Sequence, residues 1–90
     1  METHHITAIG TLIGTINGSL YLADRVQASY PPGVGSGIRV TGIPLDQLLP
    51  LVERNGDRFW SSEARVCGSV VDGVLVADRA LVCGHQLLVG

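Results

Sequence analysis

The chain has 90 residues, a formal net charge of −2 at neutral pH and a hydrophobic fraction of 46%. A chain of this size makes one domain and hides only about 60% of the surface its unfolded form exposes, so nearly every apolar residue is needed for the core and little is left over for a deep, dedicated active site. The acidic balance excludes sequence-blind attraction to phosphate as a driving force, and the low charged fraction of 16% favours self-association or a standing partner over a solitary monomer.

From the N-terminus, Met1-Glu2-Thr3-His4-His5 lacks the basic start and apolar centre of a secretory signal. The cytoplasm is therefore the expected setting, with both cysteines reduced. No apolar stretch is long enough to span a bilayer as a helix, so no membrane association is expected. The segment Gly14 to Arg25 then recurs as Gly68 to Arg79, with one residue inserted before the Asn-Gly or Asp-Gly pair and one fewer after it. Each copy is an apolar or β-branched run, an Asn-Gly or Asp-Gly pair, a second run and Ala-Asp-Arg, which predicts a β-hairpin twice over. With Asn17-Gly18 as a two-residue loop, Gly14 faces Tyr21 and Ile13 faces Leu22, placing Ile9, Ile13, Leu20, Leu22 and Val26 on one side and a tyrosine ring over a glycine. Gly10 and Gly14 suggest a long, coiled first strand.

Gln27 to Gly37 is rich in turn formers and predicts a long loop. Ile38 to Ile43 alternates as a third strand, Ile38 and Val40 pointing one way and Arg39 and Thr41 the other. Leu45, Leu48, Leu49 and Val52 have helical spacing, with Pro44 in the first turn, Asn55-Gly56 as a stop and Pro50 splitting the helix into short turns. Its leucine face is expected to plug the core. Glu63 to Val71 and Val74 to Val82 form the second hairpin around Asp72-Gly73, and His85 to Gly90 extend the last strand. In that register Cys67 opposes Asp78 and lies too far from Cys83 for a disulfide, so both thiols are expected free. Asp24-Arg25 and Asp78-Arg79 are expected as repeated strand-terminating turns.

The predicted order is strand, strand, long loop, strand, helix, strand, strand. That order, carried by Gly10-Thr11-Leu12-Ile13-Gly14, Leu20-Tyr21-Leu22-Ala23-Asp24, Arg39-Val40-Thr41-Gly42 and Ala64-Arg65-Val66-Cys67-Gly68, resembles the oligonucleotide/oligosaccharide-binding (OB) fold. The resemblance implies a mainly β domain over residues 1–90, a five-stranded, partly open Greek-key barrel with one short helix between strands 3 and 4. It also implies a ligand face on the second and third strands, clasped by the loops after the first and fourth. Both of those loops are predicted here as two-residue turns, which departs from a clamp around an oligonucleotide and favours a scaffold that binds protein or itself.

Single-strand binding needs ring faces and guanidinium groups. Tyr21, Arg25, Tyr30, Arg39 and Trp60 are the candidate binding residues, with Arg58 and Phe59 beside them. Trp60 is expected to pack in the core or its rim, and Tyr30 to be the exposed aromatic. His4, His5, Cys67, Cys83 and His85 do not have metal-finger spacing, so no metal is expected. Gly33-Val34-Gly35-Ser36-Gly37 lacks the Lys and following helix of a phosphate loop. No catalytic residues and no cofactor are implied. The sequence thus predicts a non-catalytic module for protein–protein interaction or self-assembly, with single-stranded nucleic acid as the alternative partner.

Overall fold

The computed structural model describes residues 4–27, 33–87 and 89. Seven strands are present: β1 His4–Thr15, β2 Leu20–Gln27, β3 Gly33–Thr41, β4 Glu53–Asn55, β5 Arg58–Val71, β6 Val74–Val82 and β7 His85–Leu87. Helix α1, Leu45–Leu48, runs into a 3-10 turn at Leu49–Leu51. Sheet order is β4-β5-β1-β2-β3-β6-β7, and β5 also pairs with β6. Pairing therefore runs in a ring through β1, β2, β3, β6 and β5 without closing a barrel. The five-stranded, partly open architecture expected from the sequence is present, with a short strand added at each end of the sheet.

The ring follows from one strand serving two partners. β1 pairs antiparallel with β5 from His4 to Thr15 but with β2 only from Thr11 to Gly14. At Gly10 a side chain would strike the Ala23 carbonyl, so the backbones approach there as only glycine permits. The ring is completed by three parallel pairs between β3 and β6, Arg39↔Val74, Val40↔Leu75 and Thr41↔Val76.

The first reversal differs from the predicted one. Thr15 N–H donates to the Ser19 carbonyl and Gly18 N–H to the Thr15 carbonyl, so the loop is the three residues Ile16, Asn17 and Gly18, with Gly18 at a φ of 113°. The Thr15 hydroxyl donates to Asn17 Oδ1 and braces this loop. One extra loop residue shifts the register by one, giving Leu12↔Leu22 and Ile13↔Tyr21. Since side chains alternate, the shift changes which β1 residues share a face with Leu20 and Leu22. Leu12 is fully buried with them, whereas Ile9 is 68% exposed. The ring over Gly14 is Phe59 rather than Tyr21, because Gly14 pairs with Phe59 across β5.

The second hairpin turns at Asp72-Gly73 as predicted, both residues having positive φ, 51° and 77°, with Val71 opposite Val74. Its ladder shifts beyond Gly68↔Ala77, so that Cys67 faces Arg79 instead of Asp78. Asp78 is the extra residue of a β-bulge. Asp24 occupies the same place in β2, between Ala23↔Gly37 and Arg25↔Ser36. The repeated Ala-Asp-Arg therefore does not end the strands; it bends them. Each alanine is buried, Ala23 at 1% and Ala77 at 6% exposure, and each bulged aspartate has a side-chain partner. Asp24 Oδ1 accepts from the Ser36 hydroxyl at 2.6 Å, and Asp78 Oδ2 lies 3.0 Å from His5 Nε2.

Three further expectations are corrected. Gly33 to Gly37 belong to β3, because pairing with β2 satisfies a backbone whose glycines allow close approach; the predicted loop is left with 28–32, outside the described residues. Asn55-Gly56 does not stop a helix. Glu53–Asn55 form β4, which turns through Gly56 and Asp57 into a β5 that starts at Arg58 instead of Glu63. The tail does not extend β6, since Cys83 and Gly84, with φ of 50° and 80°, reverse the chain so that β7 pairs back on β6, Val82↔His85.

Inside the ring lies the main core, including Leu12, Leu22, Phe59, Val66, Leu75 and Val82. Leu48 of α1 is fully buried among them, and Leu45 and Leu49 pack alongside, so the helical segment plugs the core as its leucine spacing predicts. Pro44 stands at the N-cap position of α1, and Pro50 is the second residue of the 3-10 turn, within its first turn, where the missing N–H costs little.

Candidate functional site

Two outer faces of the sheet present side chains capable of recognition. On the first, Tyr21 of β2 stands directly opposite Arg39 of β3, both exposed. A groove of about 240 Å³ beside them is lined by Ile13, Thr15, Ser19, Tyr21, Val34 and Arg58. Beneath it a small second cluster joins Ile13, Ala23 and Trp60, with Val34 packed against it.

This arrangement separates the sequence candidates. Tyr21 and Arg39 are brought together, and Arg58, at the start of β5, reaches the same groove. Arg25 is exposed opposite Ser36, beyond the bulge at Asp24. Trp60 is buried at 8% exposure, and its Nε1 donates to Glu53 Oε2 at 2.7 Å, so its faces are engaged in packing, as is Phe59 at 1%. Tyr30 lies outside the described residues.

The second face crosses β1, β5, β6 and β7. In β5, Ala64, Val66 and Gly68 point inward, so Arg65 and Cys67 point out. In β6, Ala80 and Val82 point inward, so Arg79 and Leu81 point out. The registers then align two rows, Thr7–Cys67–Arg79 and Ile9–Arg65–Leu81–Gln86. Two grooves adjoin along these rows and share Arg65 and Leu81. One, about 270 Å³, is lined by Ile9, Ser62, Glu63 and Gly84 besides those two. The other, about 300 Å³, adds Thr7, Cys67, Arg79 and Gln86.

The sequence does not mark this face as a site: there Cys67 is weighed as a metal ligand, Arg79 as part of a strand-ending turn, Arg65 within a strand motif and Ile9 on one side of the first hairpin. The alternation Ala64-Arg65-Val66-Cys67-Gly68 was a sufficient signal for Arg65. Arg79 was hidden because the Asp78 bulge reverses the parity on which its direction depends.

Both thiols are free. Cys67 Sγ lies 3.3 Å from the Thr7 hydroxyl. Cys83 Sγ lies 3.2 Å from the Ser61 hydroxyl and 3.5 Å from the Leu51 carbonyl, neither of which is a base strong enough to activate a thiol. His85 Nδ1 lies 3.1 Å from the Cys83 carbonyl. Among the described residues, no three His, Cys, Asp or Glu side chains converge as metal ligands, and no helix is long and apolar enough to cross a membrane.

Comparison with protein-family models, with curated proteins and with solved structures finds no match.

Proposed function

We propose that this chain is a non-catalytic binding module, OB-like in plan, that mediates protein–protein interaction or assembly through the outer face of β1, β5, β6 and β7. The observation that carries this reading is the cross-strand row Ile9–Arg65–Leu81–Gln86, with Ile9 at 68% and Leu81 at 36% exposure. A 90-residue chain has few large apolar side chains to place outside its core; here an isoleucine and a leucine supply apolar area on either side of an arginine, the residue type that interface centres are enriched in. The OB-like plan is supported by the ring order β1-β2-β3-β6-β5 and by a helix between β3 and the next long strand. Two free thiols fit a cytoplasmic setting.

The test uses the intact chain, Ile9→Asp and Leu81→Asp. Light scattering over a concentration series and affinity capture from the native host should show self-association or a discrete partner with the intact chain. Each variant should lose it while keeping its unfolding midpoint. A monomer that captures nothing, or capture that survives both substitutions, refutes the reading.

The facing pair Tyr21↔Arg39, with Arg58 at the adjacent groove, favours a second reading, single-stranded nucleic acid laid across β2 and β3. Titration with labelled oligonucleotides at two salt concentrations separates it from the first. Salt-sensitive binding lost in Arg39→Ala supports it, and no binding at low salt removes it.

A further inference from the structure

We infer that the groove between Arg65 and Arg79 is a carboxylate clamp, and that the partner segment seated on this face is an extended acidic one. The inference rests on the interaction reading above and specifies the partner's chemistry.

The groove is lined by Thr7, Arg65, Cys67, Arg79, Leu81 and Gln86. Its polar atoms include two guanidinium groups, a hydroxyl, a thiol and an amide, so it is rich in donors and holds no carboxylate. Arg65 pairs with Leu81 and Cys67 with Arg79, which makes Arg65 and Arg79 diagonal neighbours on one face, with Cα atoms about 7–8 Å apart. Two planar forks at that spacing can close on one carboxylate from both sides. Among the described residues, neither guanidinium has a hydrogen-bond or ion-pair partner. Of the carboxylates close in sequence, Asp78 is turned to His5, and Glu63 lines the adjoining groove on the far side of Arg65 without an ion pair to it. Two positive charges stand uncompensated in a chain whose net charge is −2.

Charge complementarity therefore selects an acidic occupant. The apolar flanks select a protein over a polyphosphate: Leu81 borders the clamp and Ile9 lies across Arg65 from it, so a strand alternating acidic and apolar side chains meets both features along one row.

The probe is an acetylated, amidated hexapeptide alternating Glu and Leu, titrated into the intact chain while backbone amide shifts are followed by NMR. Its Gln-for-Glu counterpart and inorganic phosphate are the comparison arms. Saturable shifts centred on Arg65, Cys67, Arg79 and Leu81 are expected. Arg65→Gln and Arg79→Gln should each weaken binding about tenfold, as loss of a charged hydrogen-bonding partner does, and Arg54→Gln, on β4 and outside both grooves, should leave it unchanged. The clamp is overturned by absent or displaced shifts, by an equal response to the Gln peptide, by phosphate binding as tightly as the peptide, or by arginine variants that bind normally. Host capture tells the two ideas apart. A partner lost in Ile9→Asp but retained in Arg65→Gln and Arg79→Gln keeps the interface and removes the clamp, whereas self-association lost in those arginine variants makes the occupant a second copy and overturns the acidic segment.

Discussion

At the residue scale, Gly14 is one of the positions that leaves no room for a side chain. A Cβ there would sit 2.6 Å from the Ser19 carbonyl oxygen and 2.7 Å from Phe59 Cζ. One contact is backbone and the other a ring 1% exposed, so neither gives way cheaply. Gly14→Ala should lower unfolding free energy by about 1–3 kcal/mol in urea titration, the usual cost of overpacking. An unchanged midpoint would show that Phe59 can move aside. The sequence made Gly14 visible as a glycine needing cover, yet it offered Tyr21 as the ring. The error arises from Ile16, which belongs to the turn, as the backbone bonds Thr15 N–H to the Ser19 carbonyl and Gly18 N–H to the Thr15 carbonyl show and no propensity carries.

At the scale of elements, the two hairpins show why one register was legible and the other was not. Asp72 and Gly73 both adopt positive φ, and such a two-residue turn matches strand twist and dictates Val71↔Val74 directly. Asp72→Val puts a β-branched residue into the left-handed region and should cost about 1–2 kcal/mol. Thermal unfolding of the full chain measures this, and a smaller loss would mean that the strands, not the turn, set the register. The same Asn-Gly or Asp-Gly signature at Asn17-Gly18 admits a three-residue loop, so the dipeptide alone left two registers open. The bulges at Asp24 and Asp78 follow a similar logic. Their repetition in Ala-Asp-Arg was apparent, but a bulge and a strand end share their residue preferences. Only the neighbours Ser36 and His5, distant in sequence, distinguish them. β4 and β7 were hidden for another reason: three residues each are too few to show a period.

At the scale of the whole molecule, strand order was readable because hairpins are local, while the join between them was not. β3 meets β6 through three parallel pairs, and parallel ladders are slightly less stable per residue than antiparallel ones. β5 and β6, by contrast, share a long antiparallel ladder from Ala64↔Val82 to Val71↔Val74. Native-state hydrogen exchange should therefore report faster opening for amides bonded across Arg39 to Thr41 than for those between Val66 and Val71. Equal protection in both would mean that the ring opens only by global unfolding. The difference also orders assembly, because segments remote along the chain meet after loop closure has been offset elsewhere. Val40, 2% exposed, and Leu75, fully buried, sit at this join, so water admitted by a momentary parting of the two ribbons would reach the oily interior there first. Gentle heating would then loosen the molecule from its middle outward, with both hairpins still intact.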